Sequence, residues 1–159
     1  MPYEFYLSFK GSKQGQFKPE TQKTRGTDKW SEVIAFKMGT EVPVDAKSGG
    51  PKGGRTHKPI VITREVDGAS PGLFQLCVTG ETLTEVVLET VFCGHTAKRI
   101  TLRDAVLARV GPSLALPRKP SRGRGKFQWE DLSFVFGSIL IENLAASTST
   151  TDDVTANSQ

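Results

Sequence analysis

Metal and redox chemistry have little to work with in this chain. Its 159 residues hold two cysteines, Cys77 and Cys93, and two histidines, His57 and His95. Two thiols do not make a disulfide framework. The expectation is a pair of reduced thiols, at least one of them buried, because free cysteine packs as a small hydrophobe. Cys93 and His95 offer two adjacent ligands where a structural zinc site uses four. Cys77 and His57 stand at no spacing that completes such a set, so no metal is expected, and His57 reads as a structural or exposed histidine at a strand start. A Gly-x-Ser-x-Gly motif is absent, and no serine or cysteine has a base and an orienting acid in a recognisable arrangement. Glu130 and Asp131 are neighbours in a strand-like run, which puts them on opposite faces. The GGPKGG run at 49–54 lacks the Gly-x-x-x-x-Gly-Lys-Ser/Thr spacing of a phosphate loop. Catalytic residues and cofactors are therefore not expected, and the chain does not read as an enzyme.

Long apolar runs are also missing. Nothing approaches the roughly 20 residues needed to span a bilayer. The opening MPYEFYLSFKGSK has neither the basic start nor the apolar stretch of a secretory signal. Synthesis in the cytoplasm is expected, with any export by a signal-independent route. No internal repeat is present.

What is there reads as mainly β. Length is a soft prior for one domain, and 36% hydrophobic with 24% charged residues fits a soluble globular chain. Tyr3, Phe5, Leu7 and Phe9 alternate, the period of a strand with one apolar side. Further strands are expected at 31–38, 58–66, 83–92, 98–110 and 127–144. In the fourth of these, Ile100, Leu102, Val106 and Val110 should share a face. In the last, Leu132, Phe134 and Phe136 should face one way and Val135, Ile139 and Ile141 the other. Apolar residues on both faces imply burial on both sides. Between the strands, Asp67-Gly68 signals a turn and Ser70-Pro71 starts a short helix over 70–79. Ser70 is placed to cap, Pro71 to occupy the first turn and Asp67 to meet the positive helix end. Leu73, Phe74, Leu76 and Cys77 would form its apolar stripe, with Gly80 as the stop.

Two segments have little to bury. Residues 41–56 read EVPVDAKSGGPKGGRT, with four glycines and two prolines, too long for an idle connection in a compact domain. They are expected to form an arm that orders against another subunit. Residues 145–159 are polar and are expected to be a disordered tail, giving a domain at 1–144 followed by the tail.

Charge is unevenly placed. The net value is +4, and with Asp152 and Asp153 in the tail set aside the body carries +6. Five of those charges are Arg118, Lys119, Arg122, Arg124 and Lys126, in a stretch without an acid. Such a loop could neutralise phosphates. A nucleic-acid-binding module using residues 118–126 is the alternative reading, weakened because no aromatic is interleaved before Phe127.

Several stretches together resemble the haemolysin-coregulated protein family, Hcp, the tube protein of type VI secretion systems. They are His57-Lys58-Pro59-Ile60 through Ile62-Thr63-Arg64-Glu65, then Ala69-Ser70-Pro71 and Leu73-Phe74. Ile100 to Val106, Glu130-Asp131-Leu132-Ser133-Phe134 and the opening Tyr6-Leu7 continue the likeness, which spans roughly 3–144. The loop at 14–29, the basic loop and the ending Glu142-Asn143-Leu144 depart from the family pattern. The resemblance implies an antiparallel β-barrel with one lateral helix, assembled as a homohexameric ring. Rings would stack into a tube assembled in the bacterial cytoplasm and then expelled, with a spike protein at its tip, a contractile sheath around it and effector proteins in its lumen. On that reading the arm is the ring-stacking loop, made of Glu41, Val42, Pro43, Val44, Asp45, Ala46, Lys47, Ser48, Gly49, Gly50, Pro51, Lys52, Gly53 and Gly54. The surplus face of Val135, Ile139 and Ile141 would be the subunit interface.

Overall fold

A computed structural model describes residues 3–18, 30–42, 44–50, 56–66, 68–112 and 129–153. Eleven strands and one helix occur among them. They are β1 Glu4–Gly11, β2 Gly15–Gln16, β3 Ser31–Lys37, β4 Thr40–Glu41, β5 Thr56–His57, β6 Ile60–Glu65, α1 Ser70–Thr79, β7 Thr82–Phe92, β8 His95–Pro112, β9 Trp129–Val135, β10 Ser138–Asn143 and β11 Thr148–Asp153. Six strands in the order β8-β7-β1-β3-β6-β9 form a barrel, closed because β9 pairs back onto β8. Every pairing is antiparallel. Closure removes the exposed edges that would otherwise recruit other strands. No helix among the described residues is long and apolar enough to cross a membrane.

The core follows the alternation of the strands. Leu7, Phe9, Val33, Ile60, Ile62, Val86, Leu88, Leu102, Leu132 and Phe134 are buried together. Phe9 stacks on Phe17 at 4.3 Å between ring centroids and packs at 6.0 Å against Phe134. Of the two thiols, Cys77 is half-buried and Cys93 is exposed, so neither is fully buried.

The long strand β8 makes closure possible by changing partners along its length. Lys98–Arg103 pair with β10, and Val106–Pro112 pair with β9. Between those halves the backbone of Asp104 turns left-handed, at φ +51°. That single residue shifts the alternation. Ile100 and Leu102 face the core, but beyond the shift it is Ala105 and Leu107 that are fully buried, rather than Val106. The run expected as one strand at 127–144 breaks at the same place. Gly137 donates its N–H to the carbonyls of Arg103 and Asp104 at 3.0 and 3.1 Å. A Cβ there would stand 3.1 Å from Asp104 Cβ, so a larger residue would crowd this close approach. The break resets the facing: Ile139 is 5% exposed and joins the core, with Ile141 packed against it. The expected grouping of Val135, Ile139 and Ile141 on one outward face is therefore corrected; Val135, at 41% exposure, faces out without them.

Strands β10 and β11 extend the sheet beyond the barrel as a flap. The tail expected to be disordered is thus a strand over Thr148–Asp153, and residues 154–159 lie outside the described set. Its TSTTDD sequence is mostly exposed. A short polar edge ending in two carboxylates resists strand addition.

Helix α1 lies against β8, with Leu73 and Leu76 buried. Those two side chains stabilise the packing by about 1.5–3 kcal/mol each. Phe74 is 63% exposed, a second correction. With 3.6 residues per turn only one stripe of a ten-residue helix reaches the sheet, so Phe74 and Val78 share the outward side. Ser70 makes no cap; its hydroxyl donates to Glu130 Oε1 at 3.1 Å. Gly80 ends the helix at φ +64°. Asp67 lies outside the described residues.

Glu130 belongs to a buried polar core. Arg64 is 0% exposed and Glu130 is 5% exposed. Arg64 Nη1 donates to Glu130 Oε1 at 2.5 Å, and its Nε to Ser31 Oγ at 2.9 Å. The guanidinium also sits 5.4 Å from the centre of the Phe17 ring. Removing one member of such a pair strands the other charge in a dry site, at a cost of about 3–5 kcal/mol.

Two expectations follow for stability. Arg64→Met and Glu130→Met should each lose about 3–5 kcal/mol in chemical denaturation, and the double variant should lose clearly less than their sum; strict additivity would show that the pair is not coupled. On the outer surface, the Glu32 carboxyl is held above the usual 4.5, first by desolvation and then by Glu4 and Glu65. A raised folded-state value contributes stability that is present below about 4.5 and lost as pH rises through the folded value. Glu32→Gln should therefore be the more stable form at neutral pH, with its advantage shrinking toward pH 4; denaturation midpoints at the two pH values check this.

Candidate functional site

The arm expected from the glycine-rich run rises from a two-rung ladder, Thr40 opposite His57 and Glu41 opposite Thr56. Below it, Lys58 N–H donates to the Gly39 carbonyl at 3.0 Å. Lys58 and Glu41 make an ion pair at 2.7 Å with both side chains more than half exposed, a contact of small stabilising value. Along the arm, Val42 is 48% and Val44 61% exposed. A local turn then reverses the chain. Gly49 N–H donates to the Asp45 carbonyl and Asp45 N–H to the Gly50 carbonyl, both at 2.8 Å. Asp45 Oδ1 accepts from Lys47 N–H at 2.9 Å, fixing the start of the turn. Gly49 sits at φ +71°, where a side chain is strained. Of the fourteen residues expected to form the ring-stacking loop, Pro43, Pro51, Lys52, Gly53 and Gly54 lie outside the described residues.

The arm's foot is built around His57. Its Nε2 lies 2.5 Å from Asp152 Oδ2 and its Nδ1 2.9 Å from Thr40 Oγ1. A carboxylate only accepts, so Nε2 carries the proton; the Thr40 hydroxyl can donate or accept and suits either state of Nδ1. The ring packs 5.5 Å from Phe136 between centroids. Thr40, His57 and Asp152 thus form a hydrogen-bonded row that ties both strands of the arm to β11. Thr40 and Asp152 were not legible as partners in the sequence, since 95 residues separate His57 from Asp152.

A second feature covers the outer face of β1, β7, β8 and β10. The registers align side chains in three rows across the strands. One row runs Lys10, Glu85, Arg103, Ser138 and Asp153; another runs Tyr6, Glu89, Arg99 and Glu142. Between them lie Ser8, Val87, Thr101 and Leu140. Opposite signs face each other directly at Lys10–Glu85, Glu85–Arg103, Glu89–Arg99 and Arg99–Glu142. Arg99 Nε donates to Glu89 Oε1 and Thr96 Oγ1 to Glu89 Oε2, both at 3.1 Å. The trough between the rows holds about 360 Å³, with Trp30 on its wall. Trp30 also packs with Tyr6 and Val91. The i, i+4 spacing of Glu85 with Glu89 and of Arg99 with Arg103 was the sequence signal for this pattern.

Alternating signs give this face no net positive stripe of the kind that follows a phosphate backbone. The basic run Arg118, Lys119, Arg122, Arg124 and Lys126 lies outside the described residues. Among the described residues, no three or more His, Cys, Asp or Glu side chains gather where they could hold a metal ion. Exposed apolar side chains are spread over the surface: Phe74 and Val78 on α1, Val135 at the end of β9, and Tyr3 with its ring 4.9 Å from Phe92.

Comparison with known proteins supplies the context for this geometry. A family model described as type VI secretion system effector, Hcp, matches residues 6–142. The major exported protein of Pseudomonas aeruginosa is 31% identical, over 93% of each chain. Among solved structures, an Hcp protein superposes with a TM-score of 0.82 at 23% identity, covering 96% of this chain and 98% of that one. The secreted protein Hcp3 from Pseudomonas aeruginosa gives a TM-score of 0.73 at 24% identity, again with 96% and 98% coverage.

Proposed function

We propose that this chain, which belongs to the Hcp family of type VI secretion system effectors, acts as a structural ring-and-tube subunit. Six copies close into a ring, and rings stack into a tube that is assembled in the bacterial cytoplasm and exported. A spike protein would sit at the tube tip, a contractile sheath around it and effector proteins in its lumen. The single observation that carries stacking is the arm. The barrel is closed and the edge of its flap is short and polar, yet the chain raises an ordered turn on a two-rung ladder with Val42 and Val44 exposed. Apolar side chains left exposed beside an ordered turn are what a second copy would cover.

Lateral contact between subunits draws on a different set of residues from the one expected. Ile139 is used inside the barrel, so Val135 remains from that group. Phe74 and Val78, one turn apart on α1, add an outward apolar pair. Ring closure with identical subunits buries such patches on every copy at once.

Light scattering on the purified chain should give six chain masses for a ring or multiples of six for stacks; a persistent monomer across ionic strengths would end the reading. Deleting residues 49–54 should leave single rings while abolishing stacks, seen as the loss of tubes by electron microscopy. Phe74→Asp combined with Val78→Asp should shift the mass toward monomer while thermal unfolding stays within a few degrees, since both side chains are exposed.

A further inference from the structure

The stacking arm is not an independent hairpin. Its two-rung ladder is too short to hold a direction alone, and the structure supplies a second anchor in a distant part of the chain. We infer that strand β11 is the positioning element of the arm and that His57 and Asp152 are the pair through which it acts. This deepens the proposed stacking role and rests on it for its consequence, though not for its geometry.

Three observations carry the inference. First, the His57 side chain is 10% exposed although the ladder around it is on the surface. Burial of a polar ring is favourable only when both nitrogens are satisfied, and here Asp152 takes Nε2 and Thr40 takes Nδ1. Second, these contacts join three separate segments: β4, β5 and β11. A movement of the arm relative to the flap must break at least one of them. Third, β11 is ordered by its backbone ladder to β10 and not by burial of side chains. Its side chains are nearly all exposed, and its apolar contribution to the core is nil. Its ladder to β10 runs over six residues and sets Asp152 opposite Ile139, the residue by which β10 joins the core. The strand thus delivers one carboxylate to the foot of the arm. Phe136, just after the end of β9, closes the remaining side of the His57 ring. The kink at Gly137 that resets β10 therefore also sets where the arm is held.

Amide hydrogen exchange on the full-length protein separates this from a general stability effect. His57→Ala and Asp152→Ala should each raise exchange in residues 39–50 by roughly tenfold, the size of one lost hydrogen bond to a charged group, while β6 and β9 keep wild-type protection. His57→Gln, whose amide can still donate toward Asp152, should restore most of the arm's protection. Unchanged arm exchange in both alanine variants would overturn the inference, and so would a rise spread equally over β6 and β9. Tube formation is then scored in the same variants. A loosened arm with poorer stacking is the expected result. A loosened arm with undiminished stacking would leave the anchoring in place and instead refute the arm's role between rings.

Discussion

A guanidinium sealed inside the protein is the constraint around which the rest is arranged. Arg64 has no access to solvent, and a charge in that position survives only if every neighbour is placed for it. Glu130 arrives from β9, Ser31 from the start of β3, and the Phe17 ring lies across its face. Ser70, at the start of α1, donates to the same carboxylate oxygen. One buried pair therefore fixes the neighbouring strands β6 and β9, the first residue of β3 and the start of the helix. An apolar core tolerates small shifts, whereas a buried ion pair with these partners accepts one arrangement.

From that fixed end the barrel closes through β8. An 18-residue strand cannot pair with β10 and β9 along one straight line. The left-handed turn at Asp104 and the close approach of Gly137 supply the bend. Each costs conformational energy locally and is held in place by the pairings on either side. The same bend swings β10 outward as a flap, which is how β11 comes within reach of His57. Core closure and arm placement are in this sense consequences of one irregularity.

The surface divides by physical character. On the trough face the charges of β7 and β8 stand opposite each other across the strands, Glu85 with Arg103 and Glu89 with Arg99, so the field there is short-ranged. Apolar exposure is set apart from it, on the outward side of α1, at the end of β9 and along the arm. A molecule so divided keeps its exposed apolar side chains apart from its paired charges, and its outer sheet edge at β11 is short and polar.

The sequence by itself determined the local elements and the family. Period-two alternation marked most of the strands, Ser70-Pro71 and Gly80 bracketed the helix, and motif order along the chain pointed to Hcp. Those features depend on neighbours a few residues away, and such neighbours are written in the chain. Only the tertiary structure decided that Ile139 turns inward, that Phe74 is left outside, that Thr148–Asp153 is a strand, and that His57 is bound to Asp152. The strand of TSTTDD carries no apolar period; it exists because β10 presents an edge for it. His57 and Asp152 are 95 residues apart, and Arg64 and Glu130 are 66 apart. Facing after a kink and pairing across the barrel are set by how distant segments close on each other, and no local pattern records that.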